Sequence, residues 1–308
     1  MAAPGAVRYE VTYRTVISYD DVVRGSHNEV RACPASDEHQ AVLAYDLAVH
    51  PYARVLSHVD YWGTRVDAFG VREPHVALEV VATAAVEVAP RERMTASPRV
   101  EELRHPAFVE ANLEHLARSR HVDWGSEVQA TADRLVAAAG DDVVGAILAI
   151  HRFVHTGLEY TPGATYIGVD VDRVMAEARG VCQDYSHLAL ALCRAAGIPA
   201  RYVSGYFFAA SDATGDDAAE DEVTVQTHAW FEAAVPGWGW WPLDPTNGQQ
   251  VDRRHIKIGH GRDYDDVPPI RGVYSGPGRP TTEAVVGLRR QAALTTGPSP
   301  MVQAQQQQ

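Results

Sequence analysis

The chain has 308 residues, 46% of them hydrophobic, which is enough for a sizeable core and for two domains. Its 27 basic residues against 40 acidic ones leave a formal charge of −13, and no Lys/Arg-rich block interrupts that balance, which argues against nucleic acid or an anionic membrane as its main partner. The start, MAAPGAVRYE, lacks the basic and apolar regions of a secretory leader, no apolar run approaches the roughly 18 residues of a membrane span, and three scattered cysteines make no disulfide framework, so the expectation is a globular protein of the cytoplasm.

Residues 8–31 begin with an apolar/polar alternation, as in Tyr9-Glu10-Val11-Thr12-Tyr13-Arg14, which is the period of a half-buried strand. Tyr61 to Phe69 reads as a turn with a flanking strand, and Val76 to Val88 as a long strand ending before Pro90. Residues 1–95 are therefore expected to form an antiparallel β domain. Composition changes between Pro90 and Pro98, after which alanine-rich helical patterning begins, so the second domain is placed at 96–294. Ser126 and Gln129 have the spacing of a capping box, with Val128, Ala132, Leu135 and Val136 as an apolar stripe ending before Gly140. A second helix is expected from Asp141 or Asp142, turning Val143, Ile147, Ile150 and Val154 inward and stopping at Gly157. His151 and His155 lie one turn apart on it, a metal-binding spacing, but no third ligand follows nearby and they read as surface or boundary histidines.

The stretch GVCQDYSHLALALCRAAGIPARYVSG is a loop, helix, turn and strand in sequence. Ser186, Ala189, Cys193 and Ala196 recur at helical spacing after Cys182, Gly197 and Pro199 end the helix, and Arg201 to Phe208 is rich in aromatic and β-branched residues. Cys182 thus falls in the first turn, where unpaired N–H groups and the helix dipole favour a thiolate over an ordinary thiol of pKa near ~8.5. Residues 211–222, rich in Asp, Ala and Gly, read as a solvated loop rather than a calcium site. Val223 to Ala233 and Trp238 to Leu243 read as strands joined at Pro236-Gly237, and residues 282–291 as a further strand, while residues 295–308 read as a disordered tail.

A lone cysteine at a helix start is more often a small buried hydrophobe than a nucleophile. What changes the reading is the hairpin. His228 lies eight residues before Pro236 and Asp244 seven after Gly237, so antiparallel pairing returns Asp244 towards His228. A cysteine nucleophile needs a base within hydrogen-bond reach, and that base needs an acceptor on its other nitrogen; Cys182, His228 and Asp244 offer the set. His187 and Asp184 are rival partners for the cysteine, Asp184 reading better as a helix cap, and Cys193 reads as core. Cys182, His187 and Cys193 cannot serve as a metal site, since one helix cannot aim all three at a point. Trp238, Trp240 and Trp241 are candidates for a groove wall, though aromatic residues in a hairpin are usually core.

With THAWFEAAVPGWGWWPLDPTNG added to the cysteine stretch, the chain resembles the core of the transglutaminase-like superfamily. Tyr61-Trp62-Gly63, Asp67-Ala68-Phe69-Gly70 and Pro74-His75-Val76-Ala77-Leu78 resemble the N-terminal β domain of its bacterial members, and Gly261 to Pro269 the segment that follows the aspartate. The resemblance implies an α+β protein: an N-terminal antiparallel β domain, then a papain-like core in which a helix carrying Cys182 packs on an antiparallel sheet. It implies Cys182 as nucleophile, His228 as general base and acid, and Asp244 as orienting partner. No metal or cofactor is called for. A protein or peptide substrate is expected, with a primary amine or water taking the acyl group.

Overall fold

A computed structural model describes residues 5–163, 168–209 and 222–291. The alternation at the start becomes strand β1 (Val7–Val23), with Tyr9, Val11, Tyr13 and Thr15 buried on one face, followed after Arg24 by β2 (Gly25–Val30). Strands β3 (Gln40–His50), β4 (Val55–Val59), β5 (Arg65–Val71) and β6 (His75–Val88) complete the N-terminal part, β5 leaving the turn expected at Tyr61 to Thr64.

Two short helices, α1 (Pro106–Ala111) and α2 (Leu113–Leu116), lead to α3 (Ser126–Ala139) and α4 (Val143–Gly157). Asp142 caps α4 by accepting from Val144 N, and Val143, Ile147, Ile150 and Val154 are fully buried, as the sequence indicates. Ser126 is not a cap: it is the first helical residue, behind Gly125, and the Gln129 amide instead reaches the Ala195 carbonyl at 2.9 Å, tying α3 to the end of the cysteine helix. The two-residue parallel strands β7 (Glu159–Tyr160) and β8 (Arg179–Gly180) flank α5 (Val171–Glu177). They deliver the chain to α6 (Cys182–Ala195), which begins on the cysteine itself and ends before Gly197, whose φ of 76° is glycine's natural territory.

Behind α6 stands a five-stranded antiparallel sheet ordered β13–β12–β11–β9–β14, comprising β9 (Ala200–Phe207), β11 (His228–Val235), β12 (Gly239–Asp244), β13 (Gln249–Gln250) and β14 (His255–Gly261). Ala229, Phe231, Ala233 and Val235 of β11 turn towards α6 and share one core with Leu188, Leu192 and Cys193. This is the helix-on-sheet arrangement expected of the core.

The last strands do not join that sheet. β15 (Ile270–Ser275) pairs with β2, and β16 (Pro280–Gln291) pairs with β1 along twelve positions. The segment expected as one strand from Val223 to Ala233 also divides, because β10 (Glu222–Val225) pairs with β16 while β11 stays in the core sheet. The N-terminal part is thus two sheets, β10–β16–β1–β6–β3 and β15–β2–β5–β4, built from both ends of the chain. A division at residue 95 follows chain order but not sheet membership for residues 222–225 and 270–291. Tyr206 of β9, Phe208 just after it, and Ile256 and Ile258 of the edge strand β14 carry this side of the core sheet into the hydrophobic core of this β part. The expected loop at 211–222, apart from Glu222, and the tail at 295–308 lie outside the described residues.

Candidate active site

Cys182 is the first residue of α6, so its N–H has no partner within the helix and its thiol sits at the positive end of the dipole. Asp184 does act as a cap: its Oδ2 accepts from Val181 N at 2.8 Å, which turns its charge away from duty as a base. Tight pairing of β11 and β12, with Val235 opposite Gly239 and Phe231 opposite Leu243, brings the two ends of the hairpin together as the residue count requires. His228 Nε2 donates to Asp244 Oδ2 at 2.8 Å, and its ring and the Cys182 thiol line the same cleft, near enough for each to act on the other's charge. With Nε2 given to the carboxylate, Nδ1 is the nitrogen left to take the thiol proton.

The electrostatics reinforce this order. Burial disfavours a charged imidazole, but the hydrogen bond with Asp244 and the nearby charges of Asp244 and Cys182 outweigh it and push the His228 pKa up to about 10. For Asp244, burial likewise opposes charge, yet His228 and His255 hold the carboxyl well below the usual carboxylate range. Asp244 is fully buried and accepts five hydrogen bonds: from His228 Nε2, His255 Nε2 at 3.1 Å and Asn247 Nδ2 at 2.7 Å on Oδ2, and from Thr246 N at 2.9 Å and Asn247 N at 3.1 Å on Oδ1.

Sequence reasoning missed His255, which had only its place after Asp252-Arg253-Arg254 to recommend it. Of the two histidines of α4 read as surface or boundary residues, His155 is exposed as expected but His151 is not. His151 is buried with Nε2 2.9 Å from the Asp244 carbonyl oxygen, and the exposed His155 has Nδ1 3.1 Å from the Pro245 carbonyl oxygen, so both hold the backbone around the carboxylate. The helical spacing that suggested ligands suits this equally, since residues one turn apart face the same strand end. His187 is no partner for the thiol: its ring lies between His121 and Tyr202, and its Nε2 accepts from Tyr264 N at 3.3 Å. Cys193 is core, its thiol raised to about 12 by burial.

A cleft of about 650 Å³ opens over Cys182 and His228, walled by Tyr160, Tyr202, Phe207 and Tyr264. The hairpin tryptophans are elsewhere: Trp241 is buried in the core and Trp240 lies under Arg201, 4.0 Å from its guanidinium carbon. Two described clusters place metal-ligand atoms within 4.8 Å of one another, His228, Asp244, His255 and His121, Asp263, Asp265. In the first, both imidazole Nε2 atoms are already spent on one carboxylate oxygen. In the second, Asp263 accepts from the backbone N–H groups of His121 and Asp265, and Asp265 meets Arg120 and the His121 ring. Hydrogen bonding within the protein accounts for the first arrangement; in the second, the buried His121 Nε2 lies 2.9 Å from Asp265 Oδ1 without hydrogen-bond geometry.

Residues 129–245 match the transglutaminase-like superfamily and residues 9–87 the bacterial transglutaminase-like N-terminal region. A protein of Mycobacterium leprae is 34% identical over 285 residues, spanning 92% of this chain and 99% of its own. The chain belongs to the transglutaminase-like superfamily. A Mycobacterium tuberculosis protein is 34% identical over 284 residues, covering 87% of this chain and 88% of its own. A Pseudomonas aeruginosa protein-glutamine gamma-glutamyltransferase is 33% identical over 133 residues, 42% of this chain and 19% of that one. Among solved structures, a candidate cysteine protease from Cytophaga hutchinsonii shares the fold with a TM-score of 0.70 at 23% identity, over 93% of this chain and 98% of that one.

Proposed function

We propose that this transglutaminase-like protein is a cysteine acyltransferase or hydrolase acting on a carboxamide or peptide carbonyl through Cys182. The observation that carries the reading is the chain of contacts from Cys182 to His228 to Asp244, with the cysteine at a helix N-terminus inside an open cleft. With His228 held as the imidazolium, the thiol proton already rests on its Nδ1; the thiolate sulfur attacks the carbonyl carbon, and the oxyanion meets the Cys182 N–H. Collapse expels ammonia or an amine, protonated by His228, and leaves a thioester. A primary amine then takes the acyl group, giving transfer, or water takes it, giving deamidation or peptide hydrolysis. Protein or peptide substrates suit a cleft of this size, and three free cysteines support a reducing compartment such as the cytoplasm.

The test is labelling by iodoacetamide together with amidase and amine-incorporation assays on a peptide and amine library. The wild type is expected to alkylate at Cys182 well below pH 8.5 and to turn over a glutamine-type carboxamide; Cys182→Ala is expected to abolish both. Unchanged turnover in Cys182→Ala would overturn the mechanism. An ordinary thiol titration would instead favour a non-catalytic module of the same fold.

A further inference from the structure

Asp244 Oδ2 receives three donors, and one of them, His255, belongs to no part of the mechanism above. The His255 side chain is fully buried, wedged against Phe207 and the edge of Trp230, with ring centroids 4.6 and 5.4 Å away. An ionised carboxylate only accepts, so both His228 and His255 carry a proton on Nε2 where they meet it. His255 Nδ1 in turn accepts from Asp252 N at 3.3 Å, and Asp252 Oδ1 lies at the same distance. Both ring nitrogens of His255 are therefore engaged, Nε2 by Asp244 and Nδ1 by Asp252. The charged and titratable groups facing it are Asp244 from β12, His228 from β11 and Asp252 from the segment before β14, with Arg254 paired to Asp252 at 3.7 Å.

We propose that His255 is a positioning residue that steadies the Asp244 carboxylate with a second imidazole N–H and thereby holds His228 in line with Cys182. The inference rests on the reading of Cys182, His228 and Asp244 as the reacting set. Asp244 ends β12, and the turn that follows holds Oδ1 through Thr246 N and Asn247 N and reaches Oδ2 through Asn247 Nδ2, so what His255 adds is a donor to Oδ2 from a distant strand. His255 approaches from β14, three strands away in the sheet order, and ties that edge to the site. The hydrogen of Nε2, not the volume of the ring, is what the role requires.

The test separates donor from volume. His255→Phe fills the space without a donor and His255→Gln keeps an N–H of similar reach; if circular dichroism shows His255→Phe unfolded, His255→Met takes its place. The first readout is the pH dependence of Cys182 alkylation by iodoacetamide, which needs no substrate. Loss of a hydrogen bond to a buried charge predicts an apparent thiol pKa about half a unit or more higher in His255→Phe, and a kcat for carboxamide turnover roughly tenfold lower with KM within about twofold. His255→Gln should bring both to within about threefold of wild type. Superimposable profiles for wild type and His255→Phe would overturn the proposal, as would equal displacement by Phe and Gln, which would mark His255 as filler. A wild-type thiol titrating near pH 8.5 would instead bring down the functional reading, and this inference with it, so the two failures read differently.

Discussion

At the residue scale, the pair His228 and Asp244 ties stability to pH in two directions. The folded pKa of His228 is raised, so the stabilisation from its protonated form is complete below its ordinary value near ~6.5 and is lost as pH rises towards about 10. Asp244 is the reverse case: its pKa is depressed, so its contribution is present above about 3.9 and is lost only as pH falls well into the acid range. Replacing Asp244 by Asn removes the charge both imidazoles depend on and leaves buried donors poorly met. Asp244→Asn is expected to be about 1–3 kcal/mol less stable than wild type at pH 7, with the gap narrowing towards pH 10 as His228 loses its proton in the wild type. Urea unfolding of both proteins at pH 7 and pH 10 measures this; a gap that stays constant would mean that His228 does not carry the charge assigned to it. The carboxylate and its first histidine were legible in the sequence because a hairpin turn fixes register by simple counting. His255 and His151 were not, since nothing local says which buried histidine will meet a group 11 or 93 residues away.

At the scale of the element, the face of the sheet that carries His228 depends on a missing side chain. His228 stands opposite Gly205 in the pairing of β11 with β9, and Trp230 packs into the space above that glycine. A Cβ at residue 205 would stand well inside contact distance of the Ile256 carbonyl oxygen and of the Trp230 ring, and the first of these is backbone that cannot swing aside. Gly205→Ala is therefore expected to cost about 1–3 kcal/mol, as overpacking of a closed interior does, and to move the Trp230 indole that borders His228 and His255. Urea midpoints and the tryptophan emission spectrum report the two effects; an unchanged midpoint with unchanged emission would show that β9 and β14 yield more easily than their pairing suggests. Helix α6 was legible because its apolar spacing and glycine stop are local. The division at Gln226-Thr227 was not, because both halves have strand character and only the partner strand decides which sheet each joins.

For the whole molecule, the strands after the core close the β part on itself. β16 lies between β1 and β10, and it supplies Val286 and Leu288 to a core whose other members include Tyr9, Tyr13, Val80 and Val86. β15 covers the β2 edge of the second sheet. The sequence suggested a strand at 282–291 but not its location, because alternation predicts a half-buried strand without naming the sheet that buries it. Ending the chain at Pro269 would strip β1 of its neighbour over twelve positions and leave a long unpaired edge beside newly exposed tyrosines. Burial of Val286 and Leu288 alone is worth about 1.5–3 kcal/mol each, against a total stability of about 5–15 kcal/mol for an ordinary domain. Chain 1–269 is thus expected to elute as soluble aggregate or precipitate and to lose cooperative melting, whereas chain 1–291, which keeps every described strand, should match the full protein in elution and melting temperature. Size-exclusion chromatography with thermal melts of the three chains makes the comparison. A monomeric 1–269 with an unchanged melting temperature would show that the β part stands without its last two strands, and that the boundary read from composition alone was the physical one.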